Sequence, residues 1–294
     1  MISQDRLPDC LPFSWDLLMR YRLIEIVAQW EGRLTTNHLT NSFKIGRQQA
    51  SKDIHFYMSS IAPDNLIYDK SLKGYTPSAN FVPVLTTGIA DEYLHILSRN
   101  KDIAHTFTGL DLGFAHTEIL QVPLRQIDPL ILRTLVQAAR GHRRVELSYI
   151  SMTSGTEEGR ILVPHTLVCT PLRWHVRAYC EKHREYRDFV LSRFRGVPEL
   201  LEESNFTAAD DVPWNTEVTI QITPDSRLNE TQQDILAHDF GMTDRCLHVN
   251  TRAPLVSYVL QAFNLDADKL DADPLAQQIV IANRQEVLPH LFKK

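Results

Sequence analysis

Thr36-Asn37-His38-Leu39-Thr40-Asn41-Ser42-Phe43, then Lys44-Ile45-Gly46, then Arg47-Gln48-Gln49-Ala50-Ser51-Lys52-Asp53-Ile54 is the stretch whose reading decides the first domain. Leu39 and Phe43 stand four residues apart, so they share one side of a helix and predict a short helical element from Thr36 to Phe43. Lys44-Ile45-Gly46 predicts a tight turn, with the positive φ assigned to Gly46, where no Cβ opposes it. Ala50, Ile54, Tyr57 or Met58, and Ile61 then form one apolar stripe, which predicts a third helix from about Arg47 to Ile61, ended by Pro63. The remaining face of that helix is polar and partly basic: Arg47, Gln48, Gln49, Ser51, Lys52 and His55.

Working outward, Leu17, Tyr21, Ile24, Val27 and Ala28 recur at helical spacing, which predicts a first helix from Trp15 to Trp30 with Ser14 as N-cap and Asp16 in its first turn. Glu31-Gly32-Arg33 breaks it. Downstream, Leu66-Ile67-Tyr68 and Tyr75-Thr76 flank a turn that carries Lys70 and Lys73, the pattern of a β-hairpin. Three helices and a hairpin make a winged helix-turn-helix over residues 1–83. In that fold the N-terminus of the third helix enters the major groove of DNA. Thr36, Arg47, Gln48, Gln49, Ser51 and Lys52 are therefore the candidates for base edges and phosphates, and Lys70 and Lys73 for backbone across the adjacent groove. A polar helix face can be merely solvated, but a basic module at the N-terminus, ahead of a sensor-like region, favours DNA.

A chain of 294 residues is long for one domain, and 43% hydrophobic with 23% charged residues is an ordinary globular balance. The formal charge of -5 excludes a general nucleic-acid coat, yet Lys and Arg outnumber Asp and Glu in residues 20–80 and 141–200, and the acids are gathered in 201–294. No apolar run approaches the roughly 20 residues that span a bilayer, and Met1 to Pro12 lacks the basic-then-apolar order of a signal peptide, so a cytoplasmic, nucleoid-associated protein with no membrane partner is expected. Cys10, Cys169, Cys180 and Cys246 show no paired spacing and are expected to be free thiols.

Residues 84–129 predict a helical linker, with Ile89, Tyr93, Ile96 and Leu97 on one face; Leu130 to Ala139 predicts a further helix. At Val145 the period changes to two. Val145–Tyr149, Arg160–Val163, Leu167–Thr170, Arg173–Cys180 and Tyr186–Leu191 predict five short antiparallel strands, enough for a small, strongly bent SH3- or Sm-like barrel closed off by Gly196-Val197-Pro198. Alternation puts Arg173, His175, Arg177 and Tyr179 on one strand face, with Ser148, Tyr149, Arg160, His165, Arg187 and Arg193 on neighbouring strands. Guanidinium forks, imidazoles and aromatic faces suit phosphate oxygens and stacked bases. On composition alone, an anion pocket and a set of surface arginines remain equal alternatives. Cys169, His175, Cys180 and His183 do not make a zinc site, because alternation sends His175 and Cys180 to opposite faces. No P-loop, nucleophile elbow or paired carboxylates occur, so neither an enzyme nor a cofactor is expected. Residues 201–294, with strands at Val218–Thr223 and Cys246–Asn250 and helices at Asn229–His238 and Val256–Phe263, complete a multidomain α+β protein with a small C-terminal α+β module.

The stretches Val145-Glu-Leu-Ser-Tyr149, Gly159-Arg-Ile-Leu-Val-Pro-His165, Arg173-Trp-His-Val-Arg-Ala-Tyr-Cys180 and Arg187-Asp-Phe-Val-Leu-Ser-Arg193 together resemble the WYL domain family over residues 130–200. Trp174-His175-Val176 stands where that family carries Trp-Tyr-Leu. The whole chain is similar to WYL transcriptional regulators with an N-terminal winged helix and a C-terminal extension, of the kind that accompanies BREX and CBASS phage-defence islands. The resemblance implies a homodimer, with 201–294 supporting dimerisation, and an operator with inverted repeats. It also implies repression of a phage-defence operon that is altered by a nucleotide or oligonucleotide effector. Its pocket residues would be Ser148, Tyr149, Arg160, His165, His175, Arg187 and Arg193. The rival reading is an accessory subunit that binds single-stranded nucleic acid for a defence enzyme.

Overall fold

The computed structural model describes residues 13–104 and 125–292, in two compact units, 1–121 and 122–294. In the first unit, helix α1 (Trp15–Ile26) runs into a single π-helical turn, Val27–Glu31, and ends at Gly32 with φ 71°. Helices α2 (Thr36–Phe43) and α3 (Arg47–Phe56) follow, α3 also extended by a π-helical turn, Tyr57–Ile61. The turn between α2 and α3 departs from expectation. Lys44 takes the left-handed conformation at φ 55°, whereas Gly46 is extended at φ −70° and caps α3. The chain must reverse at the last residue of α2, so the positive φ falls on the C-cap, whichever residue stands there.

Tyr21, Ile24, Val27, Ala28, Leu39, Ala50, Ile54 and Tyr57, which the stripes in the sequence mark, form the core of this unit together with Leu23. The hairpin of β1 (Leu66–Asp69) and β2 (Gly74–Pro77) is antiparallel, and Leu34 pairs with Tyr75 to dock it on the helices. Glu25, fully buried in α1, binds the chain that leaves the hairpin. Its carboxylate accepts bonds from the amides of Val84, Leu85 and Thr86, from Thr86 Oγ1 and from Tyr57 Oη, each at 2.9–3.1 Å. Helix α4 (Ala90–Ala104) begins soon after, with Tyr93 stacked on Trp30. The remainder of the expected linker, 105–124, and Cys10 lie outside the described residues.

In the second unit, α5 (Pro129–Arg140) starts at Asp128, whose carboxylate caps Leu130 N at 2.7 Å. It packs on five antiparallel strands in the order β6-β5-β4-β3-β7: β3 (Arg143–Ile150), β4 (Glu157–Cys169), β5 (Trp174–Cys180), β6 (Glu185–Val190) and β7 (Phe194–Glu203). Three expectations are corrected. The strands at 160–163 and 167–170 are one, β4, because Pro164-His165 makes an irregularity in the ladder and does not end it. Gly196-Val197-Pro198 lies inside β7, with Gly196 at φ 74° beside a second irregularity in the pairing with β3. The sheet is not a closed barrel: β6 and β7, at its two ends, do not pair among the described residues. Ile131, Leu135 and Ala138 of α5 instead cover the apolar face that a closed barrel would keep inside, against Val145, Leu147, Leu162, Val176 and Ala178.

The C-terminal module is a sheet in the order β10-β8-β9, made of β8 (Glu217–Pro224), β9 (Leu247–Arg252) and β10 (Ile279–Ile281), with α6 (Glu230–Asp239), α7 (Val256–Ala262) and α8 (Arg284–Val287). Alternate residues of β8, Val218, Ile220 and Ile222, meet Val256 and Leu260 of α7 in its core. Asn229 and Gln232 start α6 by capping each other's amides at 2.9 and 3.0 Å. No helix among the described residues is long and apolar enough to cross a membrane.

Candidate nucleic-acid interface and anion pocket

The polar face of α3 is open to solvent. Arg47, Gln48, Gln49 and Lys52 are exposed, Ser51 is half-buried, and Thr36 is half-buried in the first turn of α2. Gln49 is partly committed to its own helix, donating from Nε2 to Asp53 Oδ1 at 2.7 Å; Asp53 is in turn paired with Arg20 at 3.1 Å. Lys70 and Lys73 are exposed at the hairpin tip. The tip is not free to swing. Asp69 Oδ1 accepts from Ser71 N, Ser71 Oγ and Leu72 N, bonds that hold the Asp69 carboxyl below the usual carboxylate range. Arg33, just before α2, donates from Nε to the Leu72 carbonyl at 2.7 Å. Gly74 permits this close approach, since a Cβ there would lie 2.9 Å from the Leu34 carbonyl oxygen. Tyr75 touches both Tyr68 of the wing and His55 of α3, so the wing and α3 share one run of rings.

The seven candidate pocket residues do not come to one place. Tyr149, Arg160 and Arg187 line a cavity of about 330 Å³, together with Ser151, Thr153, Ser154, Glu158, Lys182, His183 and Phe189. Three cations and a run of hydroxyls make this a candidate anion pocket. His183 stands 3.2 Å from the thiol of Cys180, and burial and the cations Arg187, Arg160 and Lys182 push its pKa down.

Ser148 faces the other side of β3, near Gly196. His175 is buried, its ring 5.0 Å from that of Tyr258 in α7, and neither ring nitrogen has a hydrogen-bond partner among the described residues. Burial, with the charges of Arg173, Arg193 and Arg125 around it, pushes its pKa down to about 4, so it is neutral at neutral pH. Arg193, in the short turn before β7, is thus near His175 and away from the cavity.

His165 belongs to a third group. Its Nε2 lies 3.2 Å from Asp211 Oδ2, and its ring packs on Tyr186 and Trp214. Asp211 is fully buried and also accepts from Arg177 Nε at 2.5 Å and Nη2 at 3.0 Å. Burial opposes its ionisation, but the bonds from His165 and Arg177 outweigh that and keep the carboxyl below its ordinary value. Arg177 reaches Asp188 as well, at 3.1 Å. Arg252 of β9 lies over the Trp214 ring at 4.9 Å and donates to the Trp214 carbonyl at 2.6 Å. The polar face of β5 is therefore covered by the segment leading into the C-terminal module.

Comparison with known proteins follows the same divisions. Residues 16–99 match the BrxR transcriptional regulator winged helix-turn-helix domain, 130–198 the WYL domain, and 217–287 the BrxR transcriptional regulator C-terminal dimerization domain. The DNA-binding transcriptional repressor CapW of Escherichia coli (strain KTE188) is 32% identical over 275 residues, which is 93% of this chain and 91% of that protein. The chain belongs to the CapW family of transcriptional repressors. The CapW repressor of Pseudomonas aeruginosa is 32% identical over the same length, and that of Stenotrophomonas maltophilia 29% identical over 277 residues, again 93% of this chain and 91% of each relative.

Several side chains at these sites were not singled out from the sequence. Lys182 and the hydroxyls of Ser151, Thr153 and Ser154 sit in turns whose polarity reads as ordinary solvation, and Arg33 lies nearly forty residues from the carbonyl it binds. For Arg33 only the basic residue after Gly32 was visible, with nothing to say what it would reach.

Proposed function

We propose that this protein is a homodimeric repressor that binds duplex DNA at an operator of inverted repeats, controls a phage-defence operon, and responds to a phosphate-bearing nucleotide or oligonucleotide in the cavity beside Tyr149. The observation that carries the DNA reading is the exposed row Arg47, Gln48, Gln49 and Lys52 next to a lysine wing pinned by Arg33. The CapW relatives, which are DNA-binding repressors, support it, and the match of 217–287 to a dimerization domain supports the homodimer. Phosphate contacts would fix the helix in register and base-edge contacts would supply sequence choice. The cluster of Arg160, Lys182 and Arg187 supports an anionic effector, which acts only through a difference in its affinity for the DNA-competent and incompetent dimers.

Gel shifts with the duplex upstream of the protein's own operon test the DNA reading. Arg47→Ala and Lys52→Ala weaken binding without unfolding, and each lost phosphate contact lowers the salt slope by about one unit. Unchanged binding in both variants removes α3 from the interface. A reporter under the native promoter tests the pocket: Arg160→Ala and Arg187→Ala leave repression intact and alter induction. If both behave as wild type under every inducing condition, the cavity is not the effector site.

A further inference from the structure

We propose that Glu158 is a built-in counter-ion of the cationic cavity, and that an anionic ligand binds there by displacing its carboxylate. The inference rests on the reading of that cavity as an effector site.

The side chain of Arg160 is only 5% exposed, and a charge so withdrawn from water needs a partner. Its Nη1 donates to Glu158 Oε2 at 2.7 Å and to the adjacent Gly159 carbonyl at 2.9 Å. The same Oε2 accepts from the Lys182 ammonium, and Thr156 Oγ1 donates to Oε1 at 3.2 Å. Arg187, the third cation, is paired with Glu185 instead. Two of the three cations therefore converge on one carboxylate that itself lines the cavity.

A carboxylate oxygen between a guanidinium and an ammonium occupies the position a phosphate oxygen would take, and a phosphate brings more acceptor oxygens to the same donors. The Glu158 side chain is about one-third exposed, so it can turn to solvent without burying its own charge, while the incoming anion takes its place beside Arg160. It is attached by a short chain to the same strand as Arg160 and competes at a high effective concentration. The bonds from Lys182, Arg160 and Thr156 hold its carboxyl at about 2, so mild acid does not remove the competitor. The consequence is a threshold. Neutral molecules do not open the pair, singly charged anions exchange one charge for another, and a phosphate carrying about two charges, or a string of phosphates, gains by the exchange.

The alternative role for a carboxylate here is to accept a hydrogen bond from the ligand, as from a ribose hydroxyl or a base amine. The two roles differ in sign. Calorimetric titration of the full chain with inorganic phosphate, pyrophosphate and a 5′-phosphorylated dinucleotide, on wild type, Glu158→Gln and Arg160→Ala, separates them. Removal of a partly exposed competing ion pair gives Glu158→Gln about three- to tenfold tighter binding of all three probes, and Arg160→Ala binds none of them well. Equal affinity in Glu158→Gln and wild type, with only a lower melting temperature, makes the pair structural and overturns the proposal. Weaker binding of the dinucleotide in Glu158→Gln makes Glu158 a ligand contact and overturns it too. If no probe binds wild type or Glu158→Gln, and induction is unaltered in Arg160→Ala and Arg187→Ala, the effector-site reading itself fails.

Discussion

Arg177 grips Asp211 with two parallel bonds, Nε to Oδ2 at 2.5 Å and Nη2 to Oδ1 at 3.0 Å, so a strand of the WYL sheet holds the segment that leads to the C-terminal module. Both partners are buried, and His165 closes on the same carboxylate. Loss of Asp211 leaves the buried Arg177 with Asp188 as its one carboxylate and takes the acid partner from the His165 ring. Asp211→Ala is therefore expected to destabilise the unit by about 3 kcal/mol in urea denaturation, and adding Arg177→Met does not restore stability, because the nearly buried Asp188 then loses its cation. If Asp211→Ala loses under about 1 kcal/mol, the clamp is dispensable.

His175 sets a pH dependence. Its pKa lies near 4 in the folded protein against 6.5 when unconstrained, so between those values the unfolded chain binds the extra proton. Stability from this residue is full above pH 6.5 and is lost as pH falls through the window toward 4. The shift corresponds to at most about 3 kcal/mol. His175→Phe, which keeps the ring against Tyr258, flattens the melting temperature against pH in that window; an unchanged slope would falsify this.

Glu25 has a different task. Five donors in residues 57 and 84–86 end on its buried carboxylate, and only the Tyr57 hydroxyl keeps another bond, accepted from Asn65 Nδ2, if it is removed. Glu25→Ala is expected to cost about 2–4 kcal/mol, since each stranded buried group costs about 1–3 kcal/mol and some water enters. Hydrogen exchange of the amides of Val84, Leu85 and Thr86 should quicken ahead of the rest of the winged helix. Retained protection there contradicts the role.

Arg33 positions the wing without touching the core. Arg33→Ala frees the Leu72 carbonyl and, with it, the lysine tip, so operator affinity falls about threefold to tenfold through lost preorganisation while the melting temperature moves by little. Lys70→Ala is the comparison, because it removes a charge and lowers the salt slope. Wild-type affinity in Arg33→Ala means that the wing needs no support.

Much of this was legible in the chain itself. The apolar stripes of α1, α2 and α3, the two-residue period of β5 and the order of β8, α6, β9 and α7 follow from local side-chain spacing, and so did the exposure of Arg47, Gln48 and Lys52 on α3, whereas β10 and α8 were not read. Alternation also placed Arg177 and His175 on one face of β5, but it could not say what covers that face. The partners are Asp211, Trp214 and Tyr258, decades of residues downstream, and their approach turns a supposedly ligand-facing strand face into a buried joint.

The same limit divided the candidate pocket. Sequence spacing assigns a side chain to one side of its own strand, whereas a pocket is made where different strands bend toward each other. Only the tertiary structure gathered Tyr149, Arg160 and Arg187 with Lys182 around Glu158 and sent His165, His175 and Arg193 elsewhere. It likewise joined two predicted strands into β4 across Pro164 and left the sheet open under α5, because ladder pairing and helix cover are contacts between residues far apart in the chain. What the sequence determined was periodicity, a property of neighbours; what the fold decided was who meets across a distance, where burial and charge choose the partner.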